Sequence, residues 1–340
     1  MRIGLIDVDG HNYPNLPLMK LSAWHKAQGD TVEWYNPLIS GHMDKVYMSK
    51  VFSFTPDYPY CVDADEVIKG GSGYCISLQN GIEEYDKDKD ILLPYEVEHI
   101  YPDYSLYDIA DTAYGFLTRG CPYGMIHKYC HVGAKEGLCS TKVADLKEFW
   151  NGQKNIVLCD PNTLACKDWK ELLQQLIDSK AKVDFNQGLD IKLMTEEKAE
   201  MLAKIKLSSV HFAWDNYADK DMIIPKFEMF KRITNIDMRK TAVYVLTNFD
   251  STHEQDLERI YTLRDIGFFP DVRIYNKMDF VDVDKNGKPI RLKPMDILTK
   301  KYTLEQIEHF EKCWKMQRWV NMRSIFMSVP TFEEYKNKVS

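Results

Sequence analysis

Short apolar runs that end in polar residues recur along this chain, and stretches with helical spacing lie between them. Arg2–Val8 is apolar and closes on Asp7, Asp9 and Gly10, the pattern of a buried parallel strand feeding a loop. From Pro14 to Gln28, Leu18, Leu21 and Trp24 fall on one face, and Gly29 stands where a helix stops. Thr31–Tyr35 and Lys45–Phe54 read as further strands. Glu66–Lys69 reads as a strand running into Gly70-Gly71-Ser72-Gly73. This alternation predicts a small doubly wound α/β domain. The acidic run Glu83–Asp90, with Pro94 and Pro102 after it, reads as a linker.

From about Asp111 the pattern restarts. Ala113–Leu117 is a short strand leading into Thr118-Arg119-Gly120-Cys121-Pro122, and Asn155–Cys159 is a strand ending at Asp160-Pro161-Asn162. Trp169, Leu172, Leu173, Leu176 and Ile177 recur at helical spacing. Lys182–Phe185 ends at Gln187 and Asp190, Ser209–Trp214 at Asp215, and Ala242–Leu246 at Asn248. Thr195 is placed to cap a helix opening on Glu196 and Glu197, and Ser251 with Glu254 reads as a capping box for a helix ending near Gly267. Asp271–Tyr275 is a further strand. Successive βα units of this kind imply a parallel sheet or a (β/α) barrel, whose strand C-termini carry the chemistry. The tail differs: Phe280–Leu292 reads as a hairpin around Asn286-Gly287, and Tyr302–Phe326, with Trp314, Met316, Trp319 and Met322, as a covering helix.

Composition narrows the classes. The 340 residues exceed one typical domain, and 44 Lys+Arg against 51 Asp+Glu give a formal charge of −7. That balance argues against bulk nucleic-acid binding, and the basic residues Lys288, Arg291 and Lys293 are scatter, so RNA modification ranks low. No apolar run approaches the roughly 20 residues that span a membrane, and MRIGLIDVDG does not read as a signal peptide, so a cytoplasmic protein is expected. Asp282-Val-Asp284-Lys-Asn286-Gly287 resembles the start of a calcium loop, but Lys293 replaces the terminal Glu and Pro289 interrupts it.

The eight cysteines lie at positions 61, 75, 121, 130, 139, 159, 166 and 313, with no disulfide framework visible. Five read as plain buried thiols. Cys121, Cys130 and Cys139 cluster in a glycine-containing loop after a strand, with His127 and His131 among them. Soft thiolates and an imidazole suit iron–sulfur or zinc.

GFLTRGCP followed by Tyr-Cys-His and Lys-Glu-Gly resembles the cluster loop of the radical S-adenosylmethionine (SAM) superfamily. YPNLPLMKLSAWHKAQGDTVEWY and VIKGGSGY resemble the Rossmann-like, cobalamin-binding-type domain of one branch, and FNQGLDIKLM and VLTNFDST resemble its barrel strand ends. The resemblance implies an α/β fold: a Rossmann-like domain over 1–95, a partial (β/α) radical SAM-type barrel over 96–277, and a hairpin with a covering C-terminal helix over 278–340. The superfamily's usual C-x3-C-x2-C is altered here. Cys121 and Cys130 match its outer positions, no cysteine lies between them, and the loop is two residues longer.

Three readings stand: Cys121, His127 and Cys130 hold a 4Fe–4S cluster; the cluster is lost and the protein binds or scaffolds; or zinc is held by Cys121, His127, Cys130 and either His131 or Cys139. Under the first, the resemblance implies reductive cleavage of SAM to a 5′-deoxyadenosyl radical that acts on a small-molecule or other unknown substrate. It also implies an electron donor such as a flavodoxin or ferredoxin. Cofactor contacts are expected from Asp160, Asn162, Gln187, Asp190, Asp215 and Asn248. Cobalamin is not expected, because Asp9-Gly-His11-Asn-Tyr-Pro14 lacks the Gly of the usual ligand motif and lies on the wrong loop.

Overall fold

The computed structural model describes residues 1–79, 82–124, 129–275, 281–283, 289–291 and 302–339. It forms two compact units, Met1–Gln187 and Gly188–Ser340.

The first unit opens with a four-stranded parallel sheet of β1 (Arg2–Asp7), β2 (Thr31–Trp34), β3 (Met43–Ser49) and β4 (Ala64–Gly70) in the order β2-β1-β3-β4. Its central strands are buried because Ile3, Leu5 and Ile6 of β1 and Met43, Val46 and Met48 of β3 leave water. Helix α1 (Leu16–Ala27) is capped by Asn15, which accepts from the Leu18 amide, and it lays Leu18 and Leu21 against Ile3 and Leu5. The short α2 (Ser72–Cys75) follows β4, and α3 (Tyr95–Glu98) adds Val97 to the same core.

The acidic run expected as a linker is instead secondary structure. β5 (Ile76–Gln79) pairs antiparallel with β6 (Ile82–Tyr85), and a 3-10 turn covers Lys87–Lys89. Backbone pairing with a neighbouring strand outweighs the low strand preference of acidic residues.

The same unit then continues with β7 (Thr112–Gly115), β8 (Thr118–Arg119), α4 (Val132–Glu136), β9 (Thr141–Lys142), β10 (Asn155–Leu158), α5 (Trp169–Ser179) and β11 (Lys182–Phe185). Strands β7, β10 and β11 are parallel with β10 between the other two, and the two-residue β8 and β9 pair antiparallel.

The second unit holds α6 (Glu196–Lys204), β12 (Lys206–Ala213), α7 (Lys220–Thr234), β13 (Thr241–Thr247), α8 (His253–Asp265) and β14 (Pro270–Ile274). Strands β12, β13 and β14 are parallel with β13 in the middle. Phe212, Phe227, Phe230 and Phe268 pack edge-on and tilted between strand and helix. Thr195 caps α6 as expected. The capping box of α8 lies one residue later than expected, on Thr252 and Gln255, because Ser251 turns inward to donate to Asp256. Helix α7 supplies the connection that the βα alternation implies between Asp215 and Ala242.

Strands β15 (Val281–Val283) and β16 (Pro289–Arg291) pair antiparallel as the tail hairpin. Its turn around Asn286-Gly287 lies outside the described residues, as do Asp284 and Lys293 of the calcium-loop decoy. Helix α9 (Leu304–Asn321) buries Phe310, Cys313, Met316 and Trp319, and α10 (Arg323–Ser328) and α11 (Phe332–Val339) extend that core through Phe326 and Phe332. Among the described residues no helix is long and apolar enough to cross a membrane.

Candidate functional site

At residues 120–124 of the loop between β8 and α4, close backbone packing sets the course of the chain. Gly120 has φ 84°, and a Cβ there would stand 2.2 Å from the Cys139 carbonyl oxygen. Gly124 and Gly133 face each other so closely that a Cβ on either would lie 2.2 Å from the other's Cα. The Cys121 amide donates to the Gly137 carbonyl at 3.1 Å. Glu136 closes the turn by accepting from Arg119 at 2.9 Å and from the Gly120 amide, while the Arg119 guanidinium lies 3.4 Å over the Phe116 ring.

Asp160, just beyond β10, ties this loop to the sheet. Its carboxylate is buried and accepts from the Leu117 amide (2.8 Å), the Thr118 amide (2.9 Å) and hydroxyl (2.7 Å), and the Thr163 hydroxyl (3.1 Å). Burial pushes its carboxyl up to about 6, against the downward pull of those donors. Both oxygens are therefore engaged by the chain itself.

Asn162 is 3% exposed, with Nδ2 3.8 Å from the Cys121 Sγ and Oδ1 buried without a partner. Its amide directs an N–H at the sulfur and holds one acceptor in reserve. Beside it, the half-buried Cys159 has its Sγ 3.6 Å from the Tyr13 hydroxyl, and burial pushes that thiol up to about 11.

The other sequence candidates differ in how far the protein uses them. Asp190 caps the Ile191–Leu193 turn through Oδ1 (2.9 Å to the Lys192 amide), and its Oδ2 is buried and unpartnered. Asn248 has φ 61° and spends its Nδ2 on the Tyr275 carbonyl, so it holds one strand end to another. Asp215 is half-buried and its carbonyl accepts from Arg259, whereas Gln187 is exposed after β11.

Cys130 and His131 lie half-buried at the start of α4, Cys139 is exposed, and His127 lies outside the described residues. Among the described residues, no three of the loop's donors come within 4.8 Å of one another. Of the five thiols expected to be buried, Cys75, Cys166 and Cys313 are, but Cys61, in the loop before β4, is exposed and Cys159, just past β10, is half-buried.

A cavity of about 1050 Å³ opens on the sheet face of the first unit. Leu18, Leu21 and Trp24 of α1 and Tyr47 of β3 form its apolar wall, and Arg119, Lys135 and Lys142 stand at its margin. Gly71 also lines this cavity, and Gly73 follows it in α2. Their spare room is taken by the chain, since Cβ atoms there would meet the Lys50 carbonyl at 2.5 Å and the Lys50 side chain at 2.6 Å.

No protein-family model matches the chain, and no curated protein matches it in sequence. Among solved structures, the radical S-adenosylmethionine methyltransferase TsrM from Kitasatospora setae, solved with cobalamin and a [4Fe-4S] cluster bound, superposes with a TM-score of 0.54. The match covers 87% of this chain and 82% of that one, at 11% identity. The chain shares the fold of a radical SAM enzyme. At that identity the likeness speaks for the fold alone, and residue roles rest on the geometry above.

A second group of metal-type donors was missed in the sequence. Asp256 of α8 and His309 and Cys313 of α9 bring a carboxylate oxygen, an imidazole nitrogen and a sulfur within 4.8 Å of one another. Arg259, fully buried, donates to Asp256, Ser251 and the carbonyls of Trp214, Asp215 and Leu246. Its signal was legible: Asp256, Arg259, Ile260 and Leu263 share the helical face that also buries the apolar residues.

Proposed function

We propose that this protein is a radical SAM-type enzyme whose strand-end loop carries a 4Fe–4S cluster on Cys121, His127 and Cys130. The observation that carries this reading is Asn162, buried at the end of β10 with its amide against the Cys121 sulfur and an orphaned Oδ1. Hydrogen bonds to ligand sulfurs tune such clusters, and a buried acceptor without a donor fits a polar cofactor beside it. The thiols of Cys121 and Cys130 suit iron chemically, and the glycine-packed loop holds Cys121 in place without strain from bulky neighbours. With SAM bound, such a cluster supplies one-electron reductive cleavage of the sulfonium.

This chain's own residues then have separate duties. Asp160 fixes the loop, and Asn162 and Asp190 offer free oxygens to polar groups of SAM. Asp215 and Gln187 complete the contacts, and Asn248 shapes its own strand end. The partition into 1–95, 96–277 and 278–340, a flavodoxin- or ferredoxin-like electron donor and a cytoplasmic location belong to the same reading. The apolar cavity of the first unit suits a small organic ligand.

TsrM holds cobalamin; for this chain we expect none, because the Asp9–Pro14 loop lacks the Gly of the usual ligand motif. Asp9 is spent on the Val51 amide and the Thr55 hydroxyl, and the His11 ring packs 4.2 Å from Trp34.

A second reading, a cluster-less binding or scaffold protein, is favoured by one observation. Asp160 and Glu136 tie down the start of the loop, at residues 117–120, through bonds that need no metal. Anaerobic reconstitution with iron and sulfide separates the two. The enzyme reading expects about four irons and four sulfides per chain and a broad visible band that bleaches with dithionite. It also expects the band to vanish in His127→Ala. A colourless protein after reconstitution would sink it, and a band that survives His127→Ala would remove the histidine from the ligand set.

A further inference from the structure

We propose that Asp256, His309 and Cys313 form a zinc(II) site that pins α8 to α9 in the second unit. His309 and Cys313 stand four residues apart on α9 and so share one face, and Asp256 reaches them from α8. The Cys313 Sγ and His309 Nε2 are 3.6 Å apart. Two ligands on one tetrahedral zinc, with Zn–S of about 2.3 Å and Zn–N of about 2.0 Å, are separated by about 3.5 Å. The pair therefore already has ligand spacing.

The independent observation is Asp256. The residue is 0% exposed. Its Oδ1 accepts from Ser251 and Arg259, while Oδ2 is buried without any hydrogen-bond donor. A buried carboxylate oxygen without a partner is rare in folded proteins, and a cation supplies the partner it lacks. The hydrogen bonds of Arg259 go to Oδ1, to the Ser251 hydroxyl and to three backbone carbonyls, and none goes to Oδ2.

One thiolate, one imidazole and one carboxylate select zinc over magnesium or calcium. Coordination replaces the Cys313 thiol proton, which passes to the buffer, and no electron changes hands. His309 is the half-exposed member of the three, so the metal enters past it and a water takes the fourth position.

The test uses the full chain, stripped with a chelator and titrated anaerobically with cobalt(II), then with zinc against a chromophoric competitor. One equivalent of cobalt should give an intense near-ultraviolet thiolate-to-metal band and tetrahedral visible bands. Cys313→Ala should abolish the charge-transfer band. His309→Gln, at the half-exposed position, should keep the circular dichroism spectrum and weaken zinc by about tenfold or more. The double variant Cys121→Ala, Cys130→Ala should leave the band intact, which separates this site from the strand-end loop. Absence of the band from the parent, or its survival in Cys313→Ala, overturns the assignment.

Discussion

In each unit a buried charge ties strand ends together, Asp160 in the first and Arg259 in the second, and these two are opposite in sign and in support. Asp160 in the first unit is a pure acceptor, taking hydrogen bonds from two amides and two hydroxyls. Among the described residues it forms no ion pair. Arg259 in the second unit is a pure donor to three carbonyls and a hydroxyl, and it has a counter-ion in Asp256.

An anion served only by neutral donors recovers part of its lost hydration, so its carboxyl is held up at about 6. A paired cation is neutralised locally but makes each partner dependent on the other. The first arrangement gives a loop anchor sensitive to pH; the second gives a rigid frame around a carboxylate with one oxygen to spare.

The sharpest way to break the comparison is Arg259→Leu. It strands Asp256 as a buried unpaired anion and leaves the carbonyls of Trp214, Asp215 and Leu246 without their donor. A loss of about 3–5 kcal/mol is expected, read as a lower urea midpoint; an unchanged midpoint would show that the frame does not depend on the pair. Asp160→Ala should cost less, about 2–4 kcal/mol, because its abandoned partners are neutral amides and hydroxyls that water reaches on local opening. Hydrogen exchange at Leu117 and Thr118 should rise in that variant while the second unit's amides stay protected.

The smallest effect is the pH dependence, which tests the Asp160 environment directly. Its folded value, about 6, lies above its value in the unfolded chain, so the folded state holds the proton more tightly. Stability from this group is complete at low pH and is lost as pH rises through about 6. Between pH 7 and pH 5 the parent should gain about 1 kcal/mol relative to Asp160→Asn, which cannot titrate. Equal pH slopes in the two proteins would mean the carboxyl is not held up.

Much of this organisation was readable in the chain. The strand over Lys182–Phe185, the Thr195 cap and the apolar face of α5 follow from local periodicity and capping, which act within a few residues. The composition of Glu83–Asp90 suggests a linker, but Glu83–Tyr85 pair with β5, and composition does not report a partner segment. The capping box of α8 shifted by one residue because Ser251 was drawn to a buried carboxylate, a preference set by the core.

The sequence by itself determined the βα alternation, the placement of polar residues at strand ends and the cysteine-bearing loop, since each depends on neighbours along the chain. Only the tertiary structure decided which of those polar residues are already spent. It showed that Asp160 and Asn248 hold the scaffold, that Asn162 and Asp190 keep an oxygen free, and that Asp256 meets His309 and Cys313. Whether a buried polar atom has a partner depends on segments distant in sequence, and burial is what makes the answer matter energetically.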